Sequence, residues 1–154
     1  MAQPRMLGEI FTEFLKKPTK SDRIDWLHEN AGRPLFYLLQ LALLPQAKWA
    51  LPPGIPPYKP FAGKPGRAPS DLVRELRLMY MFLDGFEPGL RKFKREHMFA
   101  TMLHELEQEE VDLIIAVKDK TFEKKYKCSK KLVDETFPGL LTSLYDGHYI
   151  RNRV

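Results

Sequence analysis

A single cysteine, Cys128, stands in 154 residues, so no disulfide can form within the chain and stability has to come from packing. That scarcity suits a reducing compartment. Long hydrophobic runs are missing too. The longest, residues 35–44, is interrupted by Gln40 and has about half the length that a bilayer demands, so no membrane anchor is expected. The opening MAQPRMLGEIF lacks the basic start, apolar centre and small-residue cleavage site of a secretion signal, which points to the cytoplasm. Strand-like alternation is absent except for a weak case at residues 121–128, and no solenoid-length repeat is found. Nor does the chain hold a complete catalytic, metal or nucleotide motif. The expectation is therefore a non-enzyme with no catalytic residue, no metal ligand set and no cofactor.

What the chain does have is proline in one place. Eight of its thirteen prolines fall between Pro45 and Pro69, in PQAKWALPPGIPPYKPFAGKPGRAP. Each ring removes an N–H donor and pushes the preceding residue toward extended backbone, so no helix is expected there. With 44% hydrophobic and 12% aromatic residues, the remainder reads as globular rather than disordered. The predicted architecture is all-α: one compact domain over residues 1–154, with N-terminal helices at 7–44, a proline-rich strap at 45–69, C-terminal helices at 70–141 and a tail at 142–154.

About seven helices follow from apolar spacing. Leu7, Ile10, Phe11, Phe14 and Leu15 define the first, which ends before Pro18. Ser21 is the expected N-cap of the second, and Pro34 opens a third that is apolar nearly all round and so predicted to be central. Ser70 is the expected cap of a fourth, through Leu72, Leu76, Met79, Tyr80 and Leu83. Pro88 starts a longer fifth that places Leu90, Phe93, Met98, Met102, Leu103 and Leu106 on the core side. The acidic residues 107–110 belong at the start of the sixth, where carboxylates complement the helix dipole, and Ser129 caps the seventh. Tyr145, Tyr149 and Ile150 are the residues by which the tail would dock.

Candidate chemistry is sparse. His97 and His104 share a helix face but lie about 10 Å apart along the axis, too far to ligate one metal. Cys128 has no histidine base nearby in sequence. Residues 63–67, Gly-Lys-Pro-Gly-Arg, run toward a helix start as a phosphate loop does, though without the Gly-Lys-Ser/Thr ending and with Asp71 competing. The strap offers PxxP spacings, and its Trp49, Ile55, Tyr58 and Phe61 are either a partner-binding set or an apolar underside lying on the chain's own helices.

Charge gives the best lead. Residues 1–69 hold 10 Lys and Arg against 5 Asp and Glu, and residues 70–154 hold 15 against 15, yet the second part is locally patterned. Arg91, Lys92, Lys94 and Arg95 form a basic cluster, with 91, 94 and 95 on one helical face away from Leu90 and Phe93. Lys124, Lys125 and Lys127, extended by Lys130 and Lys131, form a second, in which Phe122 and Tyr126 are placed to stack on unpaired bases. These residues are the predicted nucleic-acid-binding set, against the bland alternative of solvated helix faces.

The strings SDRIDWLHEN and LPPGIPPYKP, the Gly85-Phe86 turn followed by LRKFKREHMF, and VDLIIAVKDK with its downstream FPGLL give the chain a further aspect. Over roughly residues 7–141 it resembles a family of small proteins encoded by T4-like tailed bacteriophages, including those of cyanobacteria. The resemblance carries no catalytic residues. It implies expression in the cytoplasm of an infected bacterium, or presence in the virion, and a role in replication, transcription, packaging or host takeover. The expected partners are nucleic acid or a phage or host protein complex, with a protein-binding module such as a host-factor inhibitor or minor virion component as the rival. No feature fixes an oligomeric state.

Overall fold

The computed structural model describes residues 6–142. Among them are eight α-helices and no strand: α1 Leu7–Lys16, α2 Lys20–Glu29, α3 Arg33–Leu43, α4 Leu72–Glu75, α5 Lys92–His104, α6 Gln108–Lys118, α7 Phe122–Tyr126 and α8 Lys130–Thr136. Two 3-10 segments, Leu76–Phe82 and Leu140–Thr142, follow α4 and α8. The buried apolar side chains form one cluster from Leu7 to Leu141. In α3 almost every residue from Leu35 to Leu43 is buried, and the helix packs on α6, α7 and both 3-10 segments.

The most extensive helix pairing is α1 on α6, and a glycine permits it. A Cβ on Gly8 would lie 2.8 Å from the backbone carbon of Glu109 and 2.9 Å from its oxygen, a clash with main chain that cannot rotate away. At the same crossing Glu110 is fully buried. Its Oε2 accepts the Gly8 N–H at 2.7 Å and its Oε1 accepts the Leu72 N–H at 3.0 Å, so one carboxylate satisfies the first turns of both α1 and α4. Burial pushes its pKa up, aided by Asp71 and Glu109, while the two backbone donors oppose the rise.

Several local expectations are corrected. Thr19, not Ser21, caps α2 by accepting from Asp22 N, and Asp71, not Ser70, caps α4 by accepting from Arg74 N. The Ser70 hydroxyl instead donates to buried Glu75 at 2.7 Å. The predicted fourth helix is α for only one turn, then tightens to 3-10. Leu76, Met79 and Phe82 are buried at a period of three, and Phe82 meets Phe99 of α5 edge-on at 5.3 Å. The centre of the 121–128 stretch, Phe122–Tyr126, is helical rather than extended, with α7 ended by Lys127 at φ +57°. The Ser129 cap of α8 is as expected, its hydroxyl accepting from Leu132 N. The predicted docking residues Tyr145, Tyr149 and Ile150 lie outside the described residues.

No helix forms from Leu44 to Asp71, and the connection is pinned along its length. Ala50 N donates to Phe82 O, and Asp84 N donates to Lys48 O. Lys118, buried at the end of α6, spends its three donors on Pro52 O, Gly54 O and Asp119 Oδ1. His104 Nδ1 donates to Lys59 O at 2.6 Å. Glu107 accepts from Ala68 N at 2.7 Å, and Ser70 N donates to Glu105 O.

Candidate nucleic-acid interface

The turn that opens α5 begins with its support. After the 3-10 segment the chain reverses through residues 84–91, where Gly85 takes φ +90° and Leu90 N closes on Glu87 O. Helix α5 therefore starts at Lys92, not at Pro88. Arg95 reaches back across this loop: its Nε donates to Met81 O at 2.9 Å and its Nη2 to Glu87 O at 3.0 Å. Half-buried and engaged, Arg95 holds the turn in place and does not project into solvent with its neighbours, which corrects the predicted face. The Met81 carbonyl is one freed where the 3-10 helix ends, and the Glu87 carbonyl belongs to the turn that follows, where it also accepts from Leu90 N.

Arg91, Lys92 and Lys94 are exposed. No carboxylate lies in the first turn of α5, so three cations gather at the end of the helix where the macrodipole is already positive. Phe93, expected in the core, is 83% exposed among them. Residue spacing accounts for the exposure: Phe99, Met102 and Leu103 define the buried side, and Phe93, six, nine and ten residues before them, falls well round the helix from it.

The second basic cluster is elsewhere. α5 packs chiefly on the Leu76–Phe82 segment, whereas α7 packs on α1, α3 and α6. Lys124, Lys125 and Lys127 are exposed, and Lys127 joins Lys20, Arg23 and Lys131 around a hollow of about 360 Å³ between α2 and α8. There Lys20 is paired with Glu135 at 2.6 Å, and Arg23 lies over the Phe14 ring. Phe122 and Tyr126, however, are buried at 0% and 4% exposure, packed around Phe11, so neither can stack on a base. Their spacing was that of the core face of a short helix.

The remaining candidates resolve into architecture. Two first-turn amides of α4 are already taken by Asp71 and Glu110, which leaves the loop at residues 63–67 without the N-terminus a phosphate would use. Cys128 is fully buried, and burial followed by Glu123 pushes its thiol up to about 12. Lys120, drawn onto Leu41 O and Leu44 O at the end of α3, falls to about 8 through burial. Among the described residues no group of three or more His, Cys, Asp or Glu side chains is gathered as a metal would require, and no helix is long and apolar enough to cross a membrane. In the proline-rich connection Trp49 and Tyr58 lie partly buried on the core and Phe61 folds over Gly63, while Ile55 is 63% exposed.

A family model matches residues 10–124. The chain belongs to the family of unknown function DUF6433. The DUF6433 span takes in the α5 turn, Glu110 and Lys118, and it ends at Lys124, short of Lys125, Lys127 and α8. No curated protein and no solved structure matches the chain.

Proposed function

We propose that this protein is a non-enzymatic accessory protein of a T4-like bacteriophage, acting in the cytoplasm of the infected host by binding nucleic acid or a replication or transcription complex that handles it. The observation that carries the reading is the α5 turn, where Arg91, Lys92 and Lys94 are exposed together with no carboxylate among them. Three cations crowded at the positive end of a helix oppose its dipole, and a phosphate backbone relieves that conflict while releasing counterions. Of the acidic run at residues 105–112 that would repel such a backbone, Glu107 holds Ala68 and Glu110 is buried under α1 and α4, while Glu109 stays exposed.

A rival reading has its own observation. Ile55, 63% exposed, follows Gly54, whose N–H is held by Asp119 and whose carbonyl is held by Lys118, so an apolar side chain is displayed on a fixed point suited to a protein partner. Capture from infected cells with and without nuclease separates the two. With nucleic acid as the ligand, partners are lost on nuclease treatment and on reversal of Arg91, Lys92 and Lys94 to glutamate. With a protein partner they survive both, and Ile55→Asp removes them.

A further inference from the structure

We propose that the α5 turn recognises unpaired bases, with Phe93 as the stacking platform and Arg91, Lys92 and Lys94 on the flanking phosphates. This rests on the nucleic-acid reading above and names its substrate class as single-stranded nucleic acid.

Nine of the ten phenylalanines are buried or half-buried, and Phe93 alone is exposed. Its exposure does not come from a loose helix end, because Arg95 ties the turn to Met81 O and Glu87 O and Phe99 anchors the next turn in the core. His97, four residues on and exposed, continues the same outer face. A ring that stands out from a convex turn between cations meets a base face only where the strand is open, since in a duplex those faces are covered by neighbouring bases. An aromatic among Lys and Arg is the pairing that sequence-tolerant single-strand binding uses: stacking on the ring, charge on the backbone. Phe122 and Tyr126, buried around Phe11, cannot take that role.

The test is fluorescence anisotropy with a labelled oligothymidylate of about 12 nucleotides and a duplex of equal length, across a salt series starting at about 50 mM. Wild-type protein is expected to prefer the single strand. Phe93→Ala should weaken single-strand binding about 10-fold or more while leaving the salt slope unchanged, because no charge is removed, and Phe93→Trp should restore it. Reversal of Arg91, Lys92 and Lys94 should abolish binding of both probes. Neutralising one of them by replacement with glutamine should lower the single-strand slope by about 0.7.

If Phe93→Ala binds the oligothymidylate as wild type does while the charge reversal abolishes binding, the stacking proposal is overturned and the basic-face reading stands. If neither probe binds or no variant alters binding, both fall. Sedimentation with vesicles containing anionic lipid that depends on Phe93, with oligonucleotide binding independent of it, assigns the ring to a membrane surface and also overturns the proposal. Thermal midpoints of the Phe93 variants should match wild type, since the ring makes no core contact to lose.

Discussion

Glu110 ties together residues that the chain brings from far apart, and its chemistry is testable at one position. Glutamine keeps its shape but offers one acceptor oxygen where the carboxyl group, charged or protonated, has two oxygens able to accept, so one of the Gly8 and Leu72 amides would face an N–H₂ group. Glu110→Gln should cost about 1–3 kcal/mol of stability, the range for leaving a buried donor unsatisfied, as read by denaturant unfolding. The pH dependence follows from the direction of the shift. Burial raises the folded pKa above the ordinary 4.5, with Asp71 and Glu109 adding to the rise, so the folded state binds the proton more readily than the unfolded one. The stability from this group is fully present below pH 4.5 and is lost as pH rises through the folded value. The gap between wild type and Glu110→Gln should therefore be widest in acid and narrow toward neutrality. A gap that widens with pH would mean that the two amides outweigh desolvation.

Element by element, α5 illustrates how support and display are divided within one short cluster of arginines and lysines. Arg95→Ala removes two side-chain bonds to backbone carbonyls and should lower stability by about 1–3 kcal/mol, whereas Arg91→Ala, at an exposed position without such bonds, should stay within about 0.5 kcal/mol. Equal thermal midpoints for the two variants would show that the loop at residues 84–91 does not need its clamp. The four cations look alike in sequence because nothing local to Arg95 announces the carbonyls of Met81 and Glu87; those come within reach only when the 3-10 helix ends and the loop at residues 84–91 folds back. The same limit hides Lys118, which reads as one lysine among seven yet is buried against Pro52 and Gly54. By contrast α1, α3 and α6 are legible, because Leu7, Ile10, Phe11 and Phe14, or Val111, Ile114 and Val117, satisfy helical spacing by themselves. Phe93 is misplaced for a reason of phase: paired with Leu90 three residues earlier it reads as inward, but Leu90 lies before α5 and the buried side is set by Phe99, Met102 and Leu103.

On the scale of the whole molecule, the electrically balanced stretch 70–154 gathers its cations in two clusters whose helices pack on different partners, and the proline-rich connection passes over the core between fixed points. Lys59 and Lys64 are each followed by proline and resist trypsin, whereas the bond after Arg67 is an exposed site. Because Lys118 holds Pro52 and Gly54, and Glu107 and Glu105 hold Ala68 and Ser70, a chain nicked there should elute from a sizing column as one species. Two separating halves would show that the connection is a tether. Glu110 bears on how such a molecule comes together. While only one of α1 and α4 has docked on α6, the buried carboxylate has a single amide partner, and a half-answered charge in an apolar site is more costly than the same group left in water. Intermediates holding two of the three segments are thus penalised by the contact that stabilises the finished structure. Formation and loss of the fold should then be all-or-none, with the N-terminal helix departing only when the rest does.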